Sequence, residues 1–264
     1  MSFEKYLESK GYAENTIKTY TKAVNSMLSY YTLDDQSLKM FRADLLNTCK
    51  PRTANLRISA INSYLEYIGS DCQKLKTIRF QQKTFLENVI SFPDYEYLKG
   101  CLIKDNNMPW YFVVRFLGST GARVSELVQI KKEHVSAGYI DIYGKGGKIR
   151  RIYIPSNLQI DALKWYDEIG IMSGFIFINA KGSRLTTKGI STQLKHLAER
   201  YGLDTKVVYP HSFRHMFAKT FMDRNGDIAL LADLLGHESI ETTRIYLRRT
   251  SNEQRDIVNK TVDW

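Results

Sequence analysis

The sequence predicts a mainly α protein with a small β-sheet, divided into two domains. Apolar residues recur at three- and four-residue steps through most of the chain, and the period switches to two over one short central stretch. A length of 264 residues also exceeds what one ordinary domain needs.

The helical period is clear from Glu14 to Tyr31, where Ile17, Tyr20, Val24, Met27, Leu28 and Tyr31 fall on one face. Gly11 separates this run from a shorter opening helix. The period returns over Leu38 to Leu46 and over Ala54 to Ile68, which Gly69 stops. The first 70 residues therefore read as a small helical bundle. Between Ser70 and Ser91 the periodicity weakens while Lys74, Lys76, Arg79 and Lys83 accumulate, as in a basic connector lying along a nucleic-acid backbone. The boundary is expected there, giving domains of 1–84 and 85–264.

The second part opens with helical patterns near Tyr95 to Ile103 and Trp110 to Leu117. Tyr139 to Tyr143 and Ile149 to Ile154 are rich in β-branched and aromatic residues, and Gly144-Lys-Gly-Gly-Lys148 supplies hairpin turn chemistry between them. Phe175 to Ile178 is a further strand candidate. Helical segments near Thr187 to Tyr201, Pro210 to Arg224, Ile228 to Leu235 and Ser239 to Arg248 complete the domain, with no internal repeat or low-complexity tract.

With 38 Lys plus Arg against 28 Asp plus Glu, the net charge of +10 suggests a polyanionic partner, nucleic acid first, although a merely solubilising surplus gives the same number. The charge is not a tail: up to Thr84 there are 13 basic and 8 acidic residues, and after it 25 and 20. Lys18, Lys22, Lys50, Arg52 and Arg57 lie on polar helix faces, either as phosphate contacts or as solvated charges. Cys49, Cys72 and Cys101 are far apart, without a CxxC pair or a nearby His, which argues against zinc and a disulfide framework. The N-terminus has no signal-peptide pattern and no stretch approaches membrane-spanning length, so the expectation is a cytosolic protein, nucleoid-associated in a bacterium, with no membrane partner.

Four strings carry chemistry. In Pro210-His-Ser-Phe-Arg-His215, His211 and Arg214 project from one face near a helix start, itself an anion site. HxxR alone is weak, since a His there equally serves as a structural hydrogen-bonder, and His215 reads as pointing elsewhere, into the core. In Thr120-Gly-Ala-Arg-Val-Ser-Glu-Leu127, Gly121 ends one helix, Arg123 enters the next and Glu126 lies one turn along; the plain alternative is an ordinary cap with an exposed ion pair. Gly144 to Lys148 lacks the Walker GxxxxGK[ST] pattern and the following helix, which leaves Lys145 held out on a tight turn, placed to reach a phosphate or a leaving group. Finally, Tyr246 follows the Gly236-His237 turn by nine residues, a distance that no ordinary packing argument fixes.

Together these strings resemble the tyrosine recombinase (phage integrase) family, in the family's order and spacing, from about residue 3 to the chain's end. The first-arginine motif is matched by TGARVSEL, the hairpin lysine by GKG, the HxxR box by HSFRH and the final box by LGHESIETTRIY. Ala122, where a larger apolar residue is common, and Leu247-Arg248 depart from the pattern. The resemblance implies a catalytic set of Arg123, Lys145, His211, Arg214, His237 and Tyr246, with Glu126 supporting the first arginine. It also implies that the first 84 residues form a SAM-like helical core-binding domain, a looser match carried by Tyr6-Leu7, Thr16, Tyr20 and Arg57 to Ile61. A compact, Xer-like member without an arm-binding module is expected.

That membership implies cleavage and rejoining of double-stranded DNA through a 3′-phosphotyrosine, with no metal, no ATP and no other cofactor. Arg123 and Arg214 would grip the nonbridging oxygens, with His237 as a further donor. His211 is the nearest expected acceptor for the Tyr246 proton, and Lys145 the acid for the 5′ oxygen. A homotetramer on paired sites is expected, with the tail from Asn252 to Trp264 either passed to a neighbour or packed on its own domain. The rivals are a type IB topoisomerase, which shares the pocket, and a non-catalytic DNA-binding protein of the same fold.

Overall fold

The computed structural model describes residues 1–79, 88–143, 149–237, 239–247 and 258–262. Contacts divide the chain into two compact units, Met1–Gln82 and Lys83–Trp264. Among the described residues no helix is long and apolar enough to cross a membrane, and the three cysteines are unpaired and partly buried.

The first unit contains α1 (Phe3–Ser9), α2 (Glu14–Leu28), α3 (Asp35–Thr48) and α4 (Pro51–Ile68). Helix starts and stops follow from local chemistry. Asp34 caps α3 through the Ser37 amide, Pro51 suits the first turn of α4, and Gly69 ends α4 in the left-handed conformation at φ 63°. The stripes meet in a core of Leu7, Val24, Met27, Leu38, Ile58 and Ile61.

Residues 71–79, the first part of the basic connector, are strapped to α4 by two asparagines that act as substitute strand partners. Asn62 accepts from the Leu75 amide at 2.8 Å and donates to the Leu75 carbonyl at 2.9 Å. Asn55 makes the same pair with Ile78 at 2.7 and 2.9 Å. Leu75 thereby fills the bundle core, and Lys74 pairs with Glu66 at 3.0 Å. Lys18 is likewise paired with Glu14 on its own helix. Lys22, Lys50, Arg52, Lys76 and Arg79 are exposed and Arg57 is partly buried; Lys83 lies outside the described residues.

The second unit begins with α5 (Phe92–Lys104) and α6 (Met108–Thr120), then two short helices, α7 (Val124–Leu127) and α8 (Lys132–Ala137). Strands β1 (Tyr139–Tyr143) and β2 (Ile149–Tyr153) pair antiparallel, Tyr139 opposite Tyr153 and Tyr143 opposite Ile149. Beyond them come α9 (Ser156–Glu168), α10 (Thr187–Arg200), α11 (Pro210–Asn225), α12 (Ile228–Leu235) and α13 (Ile240–Thr243), with a 3₁₀ turn over Arg244–Leu247. The main core joins Leu98, Phe112, Phe116, Leu158, Leu194 and Phe213.

Two sequence expectations change and one helix is added. The segment Phe175 to Ile178 makes only isolated bridges, Phe175 to Lys131 and Ile178 to Arg184. Helix α9 went unread although Leu158, Ala162 and Tyr166 recur at four-residue steps and are buried. The single helix expected over Ser239 to Arg248 is split into α13 and the 3₁₀ turn, consistent with four β-branched residues, Ile240, Thr242, Thr243 and Ile245, that disfavour a continuous α-helix.

Asn62→Ala removes both clamps on Leu75, each such hydrogen bond contributing about 1 kcal/mol. The full-length variant is expected to lose about 2 kcal/mol in its first unit. Hydrogen exchange should show the Leu75 amide losing protection well before the α6 amides do.

Candidate active site

The site is built around a buried carboxylate. Gly121 ends α6 with φ 62°, a conformation glycine adopts without strain, and the chain turns straight into α7 with Arg123 at its N-cap. Glu126 is 5 % exposed and reaches back to accept from the Arg123 amide at 2.7 Å and from the Arg123 guanidinium at 2.8 Å. Its second oxygen also accepts from Arg150 on β2. The plain alternative of an exposed ion pair is therefore excluded: one buried anion holds two guanidinium groups.

The remaining charge is met by helix ends. The last carbonyls of a helix lack partners within the helix and carry its negative pole, so they attract cations. The Leu235 carbonyl at the end of α12 accepts from both Arg150 and Arg214. The Gly121 carbonyl at the end of α6 accepts from Arg214 at 2.7 Å. Arg214, 3 % exposed, donates also to His237 Nε2 at 3.2 Å. Burial, then the nearby Arg123 and Arg150, pull its pKa down to about 10, so the guanidinium stays protonated at neutral pH.

Because a guanidinium only donates, His237 Nε2 must accept, and its proton sits on Nδ1, which donates to the buried Thr243 hydroxyl at 2.7 Å. Burial and the facing Arg214 push the His237 pKa down to about 4, so the ring is neutral. Both of its nitrogens are thus engaged inside the site. Gly236, at φ 61°, makes this turn possible, and a Cβ there would lie 2.3 Å from Arg150 Cδ.

Tyr246, on the 3₁₀ turn, is 7 % exposed and packs on Ala218, Met222, Leu231 and Leu235. Its hydroxyl meets His215 Nδ1 at 2.8 Å. Burial raises the phenol pKa to about 12, against a smaller lowering by Arg214. This corrects the reading of His215 as a core residue pointing elsewhere, because steps of three and four along a helix return to the same face, so His211, Arg214 and His215 project together. It also displaces His211 as the group nearest Tyr246. His211 keeps an exposed edge, and the partial desolvation of its ring, then Arg214 and Arg123, lowers its pKa.

Arg123, Glu126, Arg150, Gly236 and His237 line a cleft of about 810 Å³ whose apolar wall includes Ile142 and Tyr153. Lys145 lies outside the described residues, as does most of the tail expected to dock over 252–264. Among the described residues no three His, Cys, Asp or Glu side chains are grouped to hold a metal ion. Arg150 was missed by sequence reading, and the available signal was its inward place beside a predicted hairpin. Thr243 was missed because a buried hydroxyl has no distinctive spacing.

Comparison with known proteins agrees with this geometry. The model described as "Phage integrase family" matches residues 86–253, more than half of the chain. The chain belongs to the phage integrase family. Tyrosine recombinase XerA of Pyrococcus horikoshii is 30% identical over 98% of this chain and 91% of its own length. Tyrosine recombinase XerD of Listeria innocua is 28% identical, covering 94% of this chain and 92% of the relative. Among solved structures, XerH site-specific recombinase bound to difH substrate matches with a TM-score of 0.71 at 21% identity, over 94% of this chain and 80% of that one. A lambda integrase(75-356) dimer bound to a COC′ core site matches at 0.72 and 16% identity, over 94% of both chains. These last two likenesses show the shared, mainly helical fold, and the phage integrase chain is a tyrosine-type recombinase.

Two substitutions separate backbone strain from crowding. Gly226 has φ 76° with open space at its Cβ position, so Gly226→Ala should cost about 1 kcal/mol. Gly236→Ala should cost more, since Arg150 is pinned and must also move; double-mutant melting with Arg150→Ala is expected to recover the excess. The neutral histidines give a pH signature. His215 and His237 take protons near pH 6.5 when unfolded but near pH 4 when folded. The unfolded chain therefore binds more protons as pH falls, and stability is flat above about pH 6.5 and drops below it. Melting temperatures from about pH 7 to about pH 5 should fall, and His237→Gln should flatten that slope.

Proposed function

We propose that this chain is a site-specific DNA recombinase that cuts and rejoins strands with Tyr246 as nucleophile, held to the 3′ end as a phosphotyrosine. The observation that carries the reading is the joining of Arg123, Glu126, Arg214 and His237 in one hydrogen-bond network through Arg150 and the Leu235 carbonyl, on the same helix-end scaffold that buries Tyr246.

A phosphodiester is anionic, and attack concentrates further charge on its nonbridging oxygens. Preorganised guanidinium groups offer planar paired donors that keep their protons, and such fixed charge supplies the largest catalytic contribution. Arg123, 38 % exposed at its side chain, is open to a phosphate while Glu126 fixes its angle. Arg214 brings a second charge, and Arg150 adds to the positive field without leaving Glu126. His237, held by Thr243, orients Arg214 and becomes a donor to phosphate once its Nε2 carries a proton. Lys145 is assigned as the acid that protonates the departing 5′ oxygen.

The phosphotyrosine is again a phosphodiester, so bond energy is retained and a new 5′ hydroxyl reverses the step without ATP. The helical first unit, with Lys22, Lys50, Arg52, Arg57, Lys76 and Arg79, is assigned to the DNA backbone as a core-binding domain, with Lys18 and Lys74 available when they leave their carboxylates. Lys83 completes this set. Exchange between two duplexes requires four protomers, and the tail from 252 onward is assigned to the contact between them. The protein is assigned to the cytoplasm, and to the nucleoid if the cell is bacterial.

The test begins by selecting bound duplexes from random DNA and building a nicked version that traps the covalent product. Wild type should form a protein–DNA adduct, undiminished by EDTA, and Tyr246→Phe should form none. Arg214→Lys should slow the adduct by about 10²- to 10³-fold, the usual loss for one preorganised donor. An adduct with Tyr246→Phe would disprove the nucleophile, and loss in EDTA the metal-free mechanism.

A further inference from the structure

We propose that His215 orients the Tyr246 hydroxyl through Nδ1 and accepts its proton as the phenol attacks phosphorus. The proposal rests on Tyr246 being the nucleophile, and it moves the acceptor one helical turn along α11 from His211.

Contact is the first ground. His215 Nδ1 lies 2.8 Å from the Tyr246 hydroxyl, with the two rings at 5.7 Å and 49°. His211 sits 6.1 Å from His215 between ring centroids, on the solvent side, and among the described residues it has no hydrogen bond to Tyr246. Proton transfer needs hydrogen-bond reach before any question of basicity arises, and of these two histidines only His215 has it.

The second ground is the burial of the phenol. An enclosed Tyr246, with its pKa raised to about 12, does not ionise by itself at neutral pH. Its partner must present a bare nitrogen. Among the described residues, the titratable and charged groups facing His215 are His211 and Arg214 on its own helix, Tyr246 on the 3₁₀ turn and His237 in the turn after α12. Burial, then His211 and Arg214, hold the His215 pKa down to about 4. The ring is therefore neutral, and with its proton on Nε2 it leaves Nδ1 to accept from the phenol.

A base this weak leaves Tyr246 protonated at rest and acts late. As the phenol oxygen bonds to phosphorus it becomes far more acidic, and the proton then passes to Nδ1. The bond formed is Tyr246 Oη–P and the bond broken is P–O5′. The electron pair leaves with the 5′ oxygen, which takes a proton from the separate acid assigned to Lys145. On rejoining, the His215 imidazolium returns its proton to the released phenol oxygen.

The test uses the nicked duplex selected by the protein itself, in two versions, one with the natural bridging 5′ oxygen and one with sulfur there. Sulfur departs readily without an acid but gives no help to the attacking phenol. His215→Asn retains an acceptor in place of Nδ1 yet cannot take a proton; it should melt and bind DNA like wild type but form adduct about 10²- to 10⁴-fold more slowly on both duplexes. Free imidazole should partly restore His215→Ala. A His215→Asn rate within a few-fold of wild type would overturn the proposal, as would full recovery of that variant on the sulfur duplex, which would move His215 to the leaving group. Loss on both duplexes with His211→Asn but not with His215→Asn would make His211 the acceptor. Adduct formation by Tyr246→Phe would instead bring down the nucleophile assignment beneath it.

Discussion

The buried carboxylate of Glu126 is the constraint on which the site depends. Guanidinium groups repel one another and are expensive to take out of water, so gathering Arg123, Arg150 and Arg214 in one place needs anionic or carbonyl partners for each. Glu126 supplies the only full negative charge among the described contacts of this cluster, and it binds two of the three. The third, Arg214, is held by carbonyls that end two helices. The pocket thus keeps a surplus of fixed positive charge at its mouth, the condition for stabilising an anionic transition state without reorganisation.

That arrangement explains why short, irregular pieces surround the site while long helices lie behind it. Helix α6 must stop at Gly121 and α12 at Leu235 for their carbonyls to face inward, and both stops use left-handed glycines. Strand β2 contributes Arg150 from the other side, so three elements distant in sequence converge on two carbonyl oxygens and one carboxylate. Packing of α11 on α6 keeps Arg214 and His215 in fixed relation to this frame.

Much of this was legible in the residues. Helix periods at Ile17 to Tyr31 and at Ile58 to Ile68, the switch to a two-residue period at Tyr139, and the boxes around Arg123, His211 and Tyr246 each depend on local spacing, which sequence displays directly. What escaped depended on distance. Asn55 and Asn62 read as ordinary polar positions on α4, and only folding shows that they pin residues 71–79. Arg150 looked like one of two adjacent strand arginines, whereas burial against Glu126 singles it out from Arg151, which pairs with the exposed side of Asp141. His215 reads as core in sequence because its partner, Tyr246, is brought to it only by folding.

The 3₁₀ turn also ties two parts of the pocket together. Thr243, whose hydroxyl fastens His237, lies three residues before Tyr246. Tyr246 is therefore joined by a very short run of backbone to the residue that holds the histidine touching Arg214. Arg214, the His237 ring, the Thr243 hydroxyl and the 3₁₀ turn thus form one continuous run of contacts, so the position of that turn and the position of the ring are set together.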